Sequence, residues 1–205
     1  MRTLYIFVAH IDDLEFACLG YVFNNKYDKV KLVVATTWPA KEEFFKKNLD
    51  SLSKSIDIEY INLGFPQRVI PTHFDEVKDK FYKLINFSED FDILTHDKND
   101  AHTDHTSVFQ IAFGVYKYCN KFITIYSPEM VNFTPNYFVE MSPSQVALKK
   151  ELLATYDFGQ EQSYAKKGTY FEEERLDLPT LFALDMFHNK NIEACECYKI
   201  YKWLA

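Results

Sequence analysis

Ala9-His10-Ile11-Asp12-Asp13-Leu14-Glu15 sets one imidazole and two adjacent carboxylates directly after a short apolar run, Leu4-Tyr5-Ile6-Phe7-Val8. A second polar cluster, His102-Thr103-Asp104-His105, follows another such run, Phe91-Asp92-Ile93-Leu94-Thr95. Histidine and aspartate are the nitrogen and oxygen donors of hydrolytic zinc sites, which use about three protein ligands and leave one position open. His10 and Asp13, at a strand end, supply two of these, and His105 supplies the third. Asp12 then points elsewhere and stands beside the water as general base. A metal brings the pKa of its water from 15.7 to about 7, so hydroxide chemistry is accessible at neutral pH. His102 faces the substrate in this reading, stabilising an oxyanion or protonating a leaving nitrogen. Asp104 orients His102, as a carboxylate behind an imidazole does. His96 and Asp100 lie in the loop with His102 and are read as backing the ligands or shaping the loop, not as ligands themselves.

Bland readings exist for each cluster. Two aspartates suit the first turn of a helix, where negative charge meets the positive end of the dipole. A lone His-x-Asp-His is a weak motif. The conjunction is more telling. Four of the six histidines (His10, His96, His102, His105) fall at the ends of the first and fourth predicted strands. A doubly wound sheet sets those strands side by side at its switch point, where ligands bind.

The elements that must position these residues alternate. Strands are predicted at 3–8, 30–35, 58–63, 91–95 and 122–126 from apolar, β-branched or aromatic runs. Helices are predicted at about 13–24, 41–55, 74–85 and 107–119 from apolar residues at helical spacing. Thr72-His73-Phe74-Asp75 resembles a capping box at the start of the third helix. Strand and helix in turn imply a parallel sheet with helices on both faces, a three-layer αβα sandwich of Rossmann-like, mostly parallel type. Beyond residue 126 the rhythm breaks. A short strand is expected at 137–141. A helix capped by Ser142-Pro143-Ser144-Gln145 is expected to run to about Tyr156. Residues 157–175 are a candidate lid or subunit contact, 179–188 a short helix, and 194–203 a last strand. No repeat or linker splits the chain, so residues 1–205 are expected to form one domain.

Composition narrows the function classes. A chain of 205 residues with 47% hydrophobic and 26% charged residues suits a globular fold with a full core. The net charge of −7, with no dense basic stripe, argues against nucleic acid or an anionic membrane as partner. Five glycines make neither a phosphate-cradling loop nor a nucleophile elbow. The first residues lack a secretion signal, no run is long enough to span a bilayer, and four cysteines form no disulfide framework. Reduced thiols in the cytoplasm are expected. Cys195-x-Cys197 is better explained by strand alternation than by metal binding. Aromatic residues make up 17% of the chain, and most are placed for core packing rather than for stacking on a sugar.

At its two clusters the sequence resembles the LmbE-like, or PIG-L, zinc-dependent N-acetylglucosaminyl deacetylases. Their AHPDDxE motif stands here as Ala9 to Glu15, and their HPDH as His102 to His105. Weaker likeness lies at Leu63-Gly64-Phe65-Pro66, at Phe138 to Ser142 with Lys149-Lys150 and Gln160 or Gln162, and at Glu193 to Glu196. The resemblance implies Zn2+, or another divalent ion, on His10, Asp13 and His105. It implies Asp12 as base, and His102 as the polarising or protonating group with Asp104 as its partner. The implied reaction removes acetate from an N-acetylamino sugar or sugar conjugate, a small-molecule partner. Ile11 and Thr103 replace the two motif prolines. Phe45 stands where relatives carry an arginine, and Gln67-Arg68 where they carry an aspartate. Arg68 suits either a surface turn or a phosphate or carboxylate on the substrate. A related amidase, a phosphoester hydrolase and a non-catalytic sugar binder remain alternatives. The oligomeric state, a homo-oligomer included, stays open.

Overall fold

A computed structural model describes residues 1–127, 130–156 and 194–204. The expected lid at 157–175, the helix at 179–188 with His188, and Gln160, Gln162, Tyr164, Tyr170 and Glu193 lie outside the described residues.

Alternation along β1 (Arg2–Val8) shows how the layers arise. Leu4, Ile6 and Val8 enter one apolar cluster, whereas Tyr5, Phe7 and the following Ala9 enter another on the opposite face. The first cluster is roofed by α1 (Asp13–Ala17), α2 (Leu19–Asn24), α3 (Pro39–Leu52) and α6 (Pro143–Ala154). The second is roofed by α4 (Phe74–Leu84) and α5 (Thr103–Phe113). The αβα sandwich is therefore present, because a strand that is apolar on both faces must be covered twice.

The remaining strands are β2 (Lys29–Thr36), β3 (Ile58–Phe65), β4 (Asp90–Thr95), β5 (Lys121–Ile125), β6 (Tyr137–Glu140) and β7 (Cys195–Trp203). Their order across the sheet is β3-β2-β1-β4-β5-β7-β6. Strands β1 to β5 pair in parallel, and β7 runs antiparallel to both of its neighbours. The chain winds outward from β1 to β3, then returns to place β4 on the other side of β1. Phe7 sits opposite Thr95, so the residues after Val8 and after Thr95 leave the sheet side by side. That is the expected switch point.

Three local expectations change. The predicted helix over 13–24 is two helices with a break at Cys18. The Phe16 carbonyl accepts from Lys149 Nζ at 2.7 Å, and the Gly20 N–H donates to Glu196 Oε2 at 2.7 Å. Lys149 and Glu196 are themselves paired at 2.5 Å, so this buried ion pair inserts into the helical ladder. A Cβ at Gly20 would stand 2.7 Å from the same carboxylate oxygen, which accounts for the glycine. Second, His73 rather than Thr72 caps α4, because Thr72 ends a 3-10 turn, Ile70–Thr72, and bonds Val69. Third, α5 starts at Thr103, not 107, which carries the His-x-Asp-His cluster onto its first turn. The Ser142 capping box forms as read, with the Gln145 side chain accepting from the Ser142 N–H at 2.9 Å.

Lys149→Met strands Glu196 in the core, where the loss of one partner of a buried pair costs about 3–5 kcal/mol. Urea unfolding should show a loss of that size, partly recovered by adding Glu196→Gln. A change below about 1 kcal/mol would mean that the pair contributes nothing to joining α6 and β7.

Candidate active site

His10, Asp12 and Asp13 occupy the turn between β1 and α1, and Asp12 is the N-cap of α1. The fold keeps this turn tight. The His10 N–H donates to Asp13 Oδ2 at 2.7 Å, and the Ala9 carbonyl accepts from the Thr36 backbone and hydroxyl. The neighbouring loop, 96–102, is held by Asp97, whose carboxylate accepts from Thr124 on β5 and Tyr201 on β7. His102 then caps α5, its Nδ1 accepting the Asp104 N–H at 3.2 Å.

These two loops bring His10, Asp13 and His105 together across 95 residues of sequence. His10 Nδ1 lies 3.1 Å from His105 Nε2. Asp13 Oδ2 lies 3.7 Å from His10 Nδ1, and Asp13 Oδ1 lies 3.8 Å from His105 Nε2. The His102 ring stands beside both imidazoles, with centroids 4.8 Å from His10 and 4.5 Å from His105. Ligating atoms of His10, His102 and His105, and those of Asp13, His96 and His105, form two groups, each within 4.8 Å. His105 belongs to both.

Each imidazole has a carboxylate behind it. His105 Nδ1 lies 2.9 Å from Asp100 Oδ2, and His10 Nε2 lies 3.4 Å from Asp104 Oδ2. With the outer nitrogens protonated, the inner nitrogens, His10 Nδ1 and His105 Nε2, would be the ones to offer lone pairs to a metal. Asp104 thus takes a different partner from the one expected. Its carboxylate backs His10 and accepts the N–H groups of Arg68 at 2.6 Å and Ile70 at 3.2 Å. It meets His102 through its backbone. The physical reason is the helix start at Thr103, whose first turn directs the Asp104 side chain toward the 68–70 loop.

His96 and Asp100 stand beside and behind His105, consistent with backing groups rather than ligands. His96 is fully buried, stacks on His105 with centroids 3.8 Å apart, and takes the Ala9 N–H on Nε2 at 3.0 Å. Its Nδ1 has no hydrogen-bond partner. The available signal was position, since His96 directly follows the last residue of β4.

Charge states follow from these contacts. Burial alone would raise the Asp13 carboxyl, but His96, His105 and His10 hold it well below the usual carboxylate range. Asp100 and Asp104 are also lowered against burial, mainly by hydrogen bonds from His105 and His10 respectively. Burial and the neighbouring His96 push the His105 ring down, so it is neutral, as a metal ligand must be. Burial opposes charge on His10, yet Asp104, Asp13 and Asp12 together raise it. On the other side of the turn, burial pushes Glu15 up to about 8, and it accepts from Asn48 and Tyr156 at 2.9 Å each. It is a structural acid rather than a reacting group.

The sequence matches no protein-family model and no curated protein. Solved structures do match, over almost the whole chain. GalB, the 4-carboxy-2-hydroxymuconate hydratase of Pseudomonas putida, has a TM-score of 0.68 at 15% identity, covering 100% of this chain and 98% of its own. The N,N'-diacetylchitobiose deacetylase of Pyrococcus horikoshii has a TM-score of 0.68 at 13% identity, covering 97% and 83%. This is the LmbE-like fold. A third LmbE-like structure, the zinc-inhibited form of the teicoplanin deacetylase Orf2, has a TM-score of 0.57 at 11% identity, covering 98% of both chains. The resemblance read from Ala9–Glu15 and His102–His105 is thus matched by the LmbE-like architecture that carries them. A hydratase and two deacetylases share that architecture, so the bond that is broken or formed must be argued from the site.

Proposed function

We propose that this chain is a metal-dependent hydrolase that removes the acetyl group from an N-acetylamino sugar or sugar conjugate. We place it in the cytoplasm as one LmbE-like deacetylase domain over residues 1–205. The observation that carries this reading is the convergence of two imidazole lone pairs and one carboxylate at the switch point. Donors about 2.0–2.1 Å from a tetrahedral ion stand about 3.3 Å apart. His10 Nδ1 and His105 Nε2 stand 3.1 Å apart, and each has an Asp13 oxygen within 3.8 Å, Oδ2 for His10 and Oδ1 for His105. His10, Asp13 and His105 would hold the ion. His96 Nε2 faces both the Ala9 N–H at 3.0 Å and Asp13 Oδ2 at 3.2 Å, so we assign it to holding these two groups rather than the ion. A divalent ion at this place supplies Lewis acidity, making water a nucleophile near neutral pH and polarising an amide carbonyl.

The remaining steps belong to side chains. Asp12 is ionisable, close enough for its charge to act on His10, and only slightly exposed. It takes the proton from the attacking water. Lys41 Nζ lies 3.7 Å from Asp12 Oδ2 and helps fix the direction of its carboxylate. His102, whose Nδ1 accepts the Asp104 N–H, would act through Nε2 as donor to the oxyanion or the departing amine. Asp100 and Asp104 hold the imidazoles behind them. Amide hydrolysis uses all of these groups: a base, an acid and an electrophile.

The likeness to GalB favours one second reading, the addition of water to an unsaturated acid by the same base and metal. The test strips the protein of metal, restores zinc, manganese or cobalt, and offers acetamido sugars, acetylated peptides, phosphoesters and an unsaturated hydroxy diacid. Metal-dependent acetate release from the sugars, stopped by a chelator, is the expected result. Hydration of the diacid with no acetate from any sugar would overturn the deacetylase reading in favour of the second.

A further inference from the structure

The Lys149–Glu196 pair stands in the core, with side chains 0% and 3% exposed, and takes no part in the chemistry described above. What it does to the backbone is specific. In a continuous helix the Gly20 N–H would donate to the Phe16 carbonyl, and the Tyr21 N–H to the Ala17 carbonyl. Here the first of these bonds is opened, and each half goes to one member of the pair. The Phe16 carbonyl accepts from Lys149 Nζ, and the Gly20 N–H donates to Glu196 Oε2, both at 2.7 Å. The Tyr21 N–H goes to the Tyr198 hydroxyl at 2.9 Å, and that hydroxyl donates to Glu196 Oε2. The ladder resumes at Val22, whose N–H donates to the Cys18 carbonyl at 3.0 Å.

A simpler arrangement was open to this segment. Leu14, Ala17, Cys18, Tyr21 and Val22 keep helical spacing straight through the break. Burying two ions costs desolvation, and apolar side chains of similar volume are often neutral or stabilising in their place. Gly20 is a further cost, since glycine weakens a helix and a Cβ there would stand 2.7 Å from the Glu196 carboxylate. Local departures from the most stable solution are expected where a site needs them. The element that this one governs is α1, whose five buried residues start at Asp13, with Asp12 as N-cap. Detached from α2, α1 is held by its own tethers. Glu15 Oε1 accepts from Asn48 on α3 and from Tyr156 just after α6, at 2.9 Å each. At its other end Asp13 Oδ2 accepts the His10 N–H at 2.7 Å.

We propose that Lys149, Glu196 and Tyr198 are positioning residues for the metal site. By opening the ladder between residues 16 and 21 they release α1 from the axis of α2, so that Asp13 meets His10 and His105. The ion pair is then kept for the geometry of the site, at a cost in stability. This inference rests on the ligand set given under the proposed function.

The test separates geometry from stability. Lys149→Met/Glu196→Leu/Tyr198→Phe replaces the polar insertion with apolar side chains, and Gly20→Ala added to it favours a continuous helix. Lys149→Met/Glu196→Gln keeps an amide oxygen for the Gly20 N–H. Each variant is titrated with zinc against a chromogenic chelator, loaded with cobalt(II) for its visible absorption, and unfolded in urea without metal. Acetate release from N-acetylglucosamine is assayed at saturating zinc. The apolar variants should unfold at or above the wild-type urea midpoint, yet bind zinc about 10- to 100-fold more weakly, as when groups behind metal ligands are lost. Their cobalt spectrum should change and their kcat should fall. The variant with Gln at 196 should be the less stable and yet the tighter zinc binder. Wild-type zinc affinity and cobalt spectrum in the apolar variants would overturn the proposal. So would apolar variants that fail to fold, or that lose zinc only in step with stability. Wild type that takes up no metal would refute the ligand set and this inference together. Wild type that holds metal but releases no acetate would refute the deacetylase reading alone, because the zinc and cobalt measurements need no turnover.

Discussion

Asp12→Asn should lower kcat on an acetamido sugar by about 100- to 10,000-fold while the protein keeps one divalent ion per chain. The substitution keeps the shape of the side chain and removes its basicity. The measurement pairs steady-state kinetics with elemental analysis of the same preparation. Retained activity would remove Asp12 as the base. Joint loss of metal and activity would make it a ligand. The neighbouring Lys41 needs a control. Its ammonium is almost fully buried and would lose its facing charge, so melting curves must show that the variant is folded at the assay temperature.

His105→Ala should abolish both metal retention and turnover. His105 is the residue common to both groups of ligating atoms, and its ring is oriented by Asp100. Asp13→Asn should act in the same direction, since the anionic donor is lost. Asp100→Asn should weaken metal affinity by only about 10- to 100-fold, as loss of a carboxylate behind a ligating imidazole does. His96→Gln should keep the metal. Competition with a chromogenic chelator measures all four. Full metal binding by His105→Ala would refute the proposed ligand set, and metal loss in His96→Gln would add His96 to it.

The parts of this site legible in the sequence were those fixed locally. Apolar runs and helical spacing located the first four strand-helix units and the fifth strand, because burial on two faces leaves a continuous pattern. The two polar clusters were legible because they end the first and fourth strands, and winding rules make those strands neighbours. What remained hidden depends on partners far away in the chain. Nothing between residues 13 and 24 announces the break at Cys18, whose cause is a lysine and a glutamate from α6 and β7. Asp104 was paired with His102, two residues before it. Its actual contacts, His10 and the 68–70 loop, come from other layers of the sandwich. His96 gave no sign that it would cap a free N–H of the first loop. The position of β7 between β5 and β6 could not be read either, because strand order at a sheet's far edge is decided by tertiary packing.

That position has a consequence for how the molecule is made. Strands β1 to β5 emerge from the ribosome in an order that lets each dock on one already present. β6 emerges well before β7, the strand it pairs with among the described residues. Until residues 195–203 arrive, β5 presents an open hydrogen-bonding edge, and the Lys149 ammonium awaits its carboxylate. A nascent chain stalled before this point would hold a nearly assembled catalytic edge on an unfinished sheet, a form open to strand-mediated aggregation and dependent on chaperones.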